Sequence, residues 1–91
     1  MYFYAEHIIG AIAADITVVT PEGDVYSGKF DRHKADFSSD LKAQAIWQIT
    51  KTAVSSDSGT STYETLYPEG SKAFGFVWSD HASLSYTYSK N

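Results

Sequence analysis

Pro-Glu-Gly occurs twice in this chain, as Pro21-Glu22-Gly23 and as Pro68-Glu69-Gly70. Each copy stands between runs of β-branched and aromatic residues: 16–20 and 25–30 around the first, 63–67 and 73–78 around the second. Proline presets φ for the first corner of a turn, and glycine tolerates the positive φ that closes it. The spacing therefore predicts two hairpins, with strands 14–20 and 24–30 forming the first. Antiparallel pairing is the strongest constraint on the fold.

Between the hairpins, residues 38–54 place Leu41, Ala45, Ile49 and Ala53 at every fourth position, and Ile46 widens the stripe. Gln44, Gln48, Lys51 and Thr52 gather on the other side. Ser38 or Ser39 supplies a cap, and Asp40 suits the positive end of a helix dipole. This pattern predicts an amphipathic helix with one buried face and Trp47 on its flank. Residues 55–62, Ser-Ser-Asp-Ser-Gly-Thr-Ser-Thr, are too polar to bury and are expected to form a flexible loop. The remainder is expected to be a three-stranded meander over 63–67, 73–78 and 83–89, with 79–82 as a connection. Residues 2–9 alternate as a strand bent at Gly10, although Ala5, Ile8, Ile9 and Ile12 also fit helical spacing.

The expected fold class is α+β. A single antiparallel sheet of five to six strands carries one helix across one face, in the order strands, helix, strands. The 91 residues suffice for one domain, 1–91. A chain of this size buries roughly 60–65% of its unfolded surface. Without cysteine, no disulfide or thiolate metal site assists it.

Charge narrows the function classes. Eleven acidic and seven basic residues leave a net charge of −4, which argues against nucleic-acid or anionic-membrane binding. No apolar run reaches the roughly 18–20 residues of a membrane span. The first basic residue is Lys29, too late for the n-region of a secretory signal. A cytoplasmic protein is expected.

Catalytic and ligand motifs are weak. Asp31, His33 and Asp36 hold residue types that bind divalent ions or act as a base, but at no metal-binding spacing. Lys29, Arg32 and Lys34 lie near Tyr26, Phe30 and Phe37, yet Asp31 and Asp36 cancel most of the positive field. Asp80-His81 with Ser79 or Ser83 has the composition of a nucleophilic triad without the Gly-x-Ser-x-Gly elbow. The glycines are scattered singly, so no phosphate loop is present, and no cofactor is expected.

Seven tyrosines are the one compositional excess. On strands they stabilise cross-strand pairs, and at interfaces they offer contact area with a polar tip. The reading that unites these features is a small acidic protein-binding module that acts by occlusion, as inhibitors, immunity factors and phage counter-defence proteins do. Its partner would be a protein with a basic surface. Asp15, Glu22 and Asp24 would steer it there, and Tyr26, Trp47, Tyr86 and Tyr88 would anchor it. The alternatives are a self-assembling structural subunit, for instance a homodimer, and a small hydrolase built on His33 or His81.

Overall fold

The computed structural model describes residues 14–90. The first hairpin forms as expected. Strands β1 (Ile16–Val19) and β2 (Val25–Phe30) pair antiparallel, Ile16 opposite Gly28 and Val19 opposite Val25. In the turn, the Gly23 amide donates to Thr20 O at 2.9 Å, and Gly23 takes φ +97°. Asp24 N–H is held by the Thr20 hydroxyl at 3.1 Å.

The expected helix over 38–54 is absent. Among the described residues there is no α-helix, only the 3₁₀ turn Leu41–Ala43 and a 3₁₀ helix at Trp78–Ser83. Asp40 does cap, but it caps the short turn: its carboxylate accepts the Lys42 amide at 3.1 Å. The chain then runs into β3 (Ala45–Asp57), the longest strand among the described residues. Five of the nine residues 46–54 are β-branched, Ile46, Ile49, Thr50, Thr52 and Val54. Their restricted χ1 disfavours helix and suits a pleated surface. Two members of the apparent helical stripe are alanines, which have little apolar area to bury. Period two places Trp47, Ile49 and Lys51 on one face of β3 and Ile46, Gln48, Thr50 and Thr52 on the other. Two-sided burial explains the dense apolar run, since Ile46 and Thr52 are buried along with Trp47 and Ile49.

Residues 55–62 are a second correction. They continue β3, turn at Ser58-Gly59, and enter β4 (Thr60–Pro68). Ser58 and Gly59 have φ of 50° and 85°, the left-handed pair of a two-residue hairpin turn whose twist matches its strands. Register runs from Asp57 opposite Thr60 to Lys51 opposite Leu66.

The second Pro-Glu-Gly reverses the chain but makes no hairpin between 63–67 and 73–78. Glu69 and Gly70 both sit at positive φ, and the Gly70 amide donates to Tyr67 O at 3.0 Å. The chain then crosses to the far end of β3. Gln48 Nε2 holds Lys72 O at 2.8 Å and Lys34 Nζ holds Phe74 O at 3.2 Å. There β5 (Phe76–Val77) pairs with β3 at Ala45 and Trp47. After the 3₁₀ helix, β6 (Tyr86–Thr87) pairs with Tyr67 and Pro68 of β4. Two short strands on different partners thus replace the expected meander.

The sheet order is β1-β2-β3-β4-β6, with β5 on β3, all antiparallel. The core lies where the second 3₁₀ helix crosses the β2–β3 face: Ile46, Trp47, Ile49 and Trp78 cluster, with Ile16, Tyr26, Phe30, Phe76, Leu84 and Tyr86 packed around them. Gly28 makes this possible. A Cβ there would stand 2.6 Å from the Trp78 ring and 2.9 Å from that of Trp47. The sequence-based strand over 2–9 lies outside the described residues.

Candidate protein-binding surface

The residues expected to bind a partner fall in different places. Asp15 N–H donates to Gly28 O at 2.8 Å, and its carboxylate accepts both Arg32 guanidinium nitrogens, at 3.2 and 2.8 Å. It also accepts the Phe30 amide at 3.1 Å. The Arg32 pair, then the Phe30 amide, hold its carboxyl below the usual carboxylate range. Asp15 is thus committed to closing the β1–β2 end. Arg32 also lies 4.4 Å from the centre of the Phe30 ring.

Asp24, Tyr26 and Tyr86 do come together, around Lys51. The Lys51 ammonium is 4.0 Å from Asp24 Oδ2, and 5.5 and 5.7 Å from the Tyr26 and Tyr86 ring centres. The two rings meet edge to face at 5.5 Å. Tyr86 donates its hydroxyl to His81 O at 2.6 Å, and burial pushes its pKa well above the usual phenol value. This is an internally satisfied polar and aromatic group that fastens the 3₁₀ helix to the sheet. Trp47 is core: 3% exposed, its indole N–H bonded to Leu41 O at 2.9 Å. Glu22 is exposed in the first turn. Tyr88 is 60% exposed and donates to the Glu64 carboxylate, which raises its own pKa.

His81 stacks on Trp78, ring centres 4.3 Å apart, with Nδ1 against Trp78 O at 2.9 Å. The neighbouring hydroxyls face elsewhere: Ser79 donates to Lys42 O at 3.0 Å and Ser83 to Asp80 O at 3.0 Å. His33 lies exposed in a turn whose amide is held by Asp31 Oδ1 at 2.9 Å. Asp36 accepts the Ser38 hydroxyl and amide, which lowers its pKa. Among the described residues no three His, Asp or Glu side chains gather as a metal site would need.

The surface that sequence reasoning missed is the outer half of the β3–β4 ribbon. Every residue from 55 to 65 is exposed, on both faces. Asp57 and Glu64 lie on it, and Glu69 stands at its base. Residues 52–71 hold these three acidic residues and no Lys, Arg or His, a charge of −3. The whole chain has 7 − 11 = −4, so the rest is nearly neutral. The signal was legible as a cation-free stretch between Lys51 and Lys72, hidden by the expectation of a loop.

Known protein families, curated proteins and solved structures yield no match to the chain. No helix among the described residues is long and apolar enough to cross a membrane.

Proposed function

We propose that the chain is a small acidic protein-binding module of the cytoplasm, acting by occlusion without chemistry of its own. Its β3–β4 ribbon docks on the basic surface of a protein partner. One observation carries this reading: a stretch of twenty residues (52–71) that contains no cation concentrates −3 of the net charge, and its outer part, 55–65, is exposed throughout. Such a one-signed, protruding field speeds encounter with an opposite surface and disfavours like-charged ones. The arm contributes little to the core, so its residues serve contact outside the molecule at small cost to folding. Blocking a partner's basic site requires no catalytic group, as in inhibitors and immunity proteins.

Affinity purification at low salt tests this, with tagged wild type beside a variant carrying Asp57→Lys, Glu64→Lys and Glu69→Lys. The proteins recovered with wild type should be lost from the variant while its melting temperature is retained. Equal recovery of the same proteins would overturn the reading.

A further inference from the structure

At the end of β3 opposite the ribbon, residues 31–44 form a loop that is closely tied down and still holds one phenyl ring in solvent. The Asp36 amide donates to Gln44 Oε1, and Gln44 Nε2 donates to Asp36 O, both at 2.8 Å. Asp36 Oδ1 accepts the Ser38 amide at 3.0 Å and its hydroxyl at 2.6 Å, while the Ser39 amide donates to Asp36 O at 3.2 Å. Upstream, the Lys34 and Ala35 amides both donate to Asp31 O at 3.1 Å. Phe37 stands within this frame. Of the large apolar side chains among the described residues it is the most exposed, at 65%. Its ring meets that of Phe30 edge to face, centres 5.9 Å apart, and Phe30 in turn packs on Trp47 at 5.1 Å.

A ring held this way is preorganised for contact. Its loop has little freedom left to lose, so most of the gain from burying the phenyl appears as affinity. Arg32 stands beside it, its side chain 58% exposed and 4.4 Å from the Phe30 ring centre, and an aromatic with an arginine is the composition that interface centres favour. Charge says what the patch fits. Residues 31–42 set Asp31, Asp36 and Asp40 against Arg32, Lys34 and Lys42, a net charge of zero with His33 neutral. An isologous contact needs a patch that complements itself, and a neutral patch with both signs around an apolar centre does so. The thirteen residues of β3 span about 40 Å, so two copies joined at Phe37 keep their acidic ribbons separated by far more than a Debye length of about 8–10 Å.

We infer that two copies of the chain associate through their 31–42 loops, Phe37 against Phe37 across a two-fold axis, with the cations of each loop facing carboxylates of the other. The contact is small, so the dimer is a weak one that dilution separates. It is independent of what the ribbon binds. On the proposed function it has a consequence: the pair carries two ribbons at its outer ends, and a target with two basic sites in reach is held by both.

Sedimentation of the purified full chain across a concentration series tests this. Wild type should pass from monomer to dimer between about 10 µM and 1 mM. Phe37→Ser should raise the dissociation constant about tenfold or more, while Tm falls by no more than about 4 °C, as for an exposed position. Phe37→Trp, which keeps an aromatic anchor, should retain the dimer. On dilution of wild type, amide resonances of residues 36–40 should shift and those of 57–60 should not. The variant carrying Asp57→Lys, Glu64→Lys and Glu69→Lys should still dimerise. The inference fails if wild type stays monomeric at 1 mM, or if a dimer forms that Phe37→Ser leaves intact. It also fails if the charge-reversed variant is the one that loses the dimer, since association would then run through the ribbon. None of these outcomes decides whether the ribbon holds a basic partner, which recovery of proteins by wild type and the charge-reversed variant reads separately.

Discussion

Asp24 and Val54 are 30 residues apart in the chain, yet Asp24 Oδ1 accepts the Val54 amide at 3.0 Å. The contact joins the turn of the first hairpin to β3 beyond the last residue that β2 pairs, Thr52. A carboxylate thus completes a backbone ladder where the neighbouring strand has ended. Asp24→Ala should cost about 1.5–3 kcal/mol, the range for a hydrogen bond to a charged acceptor. Urea unfolding followed by tryptophan fluorescence measures it, and hydrogen exchange at Val54 should accelerate with it.

Gly28→Ala should be among the most destabilising single methyl additions. The new Cβ meets two indole rings inside 3 Å, and both belong to the core cluster. Overpacking of this kind costs about 1–3 kcal/mol. For a domain of this size that is a fall of roughly 4–8 °C in Tm per kcal/mol, read by calorimetry. An unchanged Tm would mean that Trp78 is packed more loosely than its 3% exposure indicates.

The first hairpin was legible because its signals are local: Thr20, Pro21 and Gly23 close the turn among themselves. The β3 strand was not, because Leu41, Ala45, Ile49 and Ala53 fit a helical stripe that only pairing with β2 and β4 overrides. The second Pro-Glu-Gly shows the same limit, since its turn forms but Phe76 and Trp78 carry the chain to the Trp47 side of the sheet. Tertiary burial decided both. On the candidate surface, tyrosine drew attention, while Tyr26 and Tyr86 turned out to pack inward around Lys51. Asp57 was overlooked because the Ser- and Thr-rich run 55–62 resembles a loop until its strand partner is known, and Glu64 because its strand, 63–67, was expected to pair with 73–78.

Acid should weaken the fold through Asp15. Arg32 and the Phe30 amide depress its carboxyl pKa in the folded state, below the unfolded value near 3.8. Its contribution is therefore present above that pH and lost as pH falls through the lower folded value. Thermal melts between neutral pH and strong acid should show wild type losing more stability than Asp15→Asn below about pH 4. Parallel curves would place the acid sensitivity elsewhere.

Alkali should act through Tyr86 with the opposite sign. Burial, then the neighbouring Tyr26, raise the Tyr86 pKa above its unfolded value of 10.0. Its contribution is complete below that value and declines as pH rises beyond it. Ultraviolet titration should find a buried phenol, Tyr86, that ionises only at more alkaline pH or with unfolding, beside exposed Tyr88, whose pKa Glu64 also raises. Tyr86→Phe should remove that step, leave His81 O without its donor, and lower stability by about 0.5–1.5 kcal/mol at neutral pH.

Shortening the ribbon should leave the body intact. Replacing residues 56–61 with Asn-Gly keeps Ser55 opposite Thr62 as the closing pair and supplies a favoured hairpin turn. Stability should change by no more than about 0.5 kcal/mol, as for other exposed positions. A large loss would show that the tip helps hold the sheet together.

The two-residue turn at Ser58-Gly59 has a consequence for how such a molecule could be retargeted. Because the arm closes on itself without help from the core, its sequence can be rewritten as an interchangeable head while the Trp47–Trp78 body stays as it is. On the proposed mode of docking, recognition would then change in few steps, and a library confined to the arm would sample new targets on an unaltered chassis.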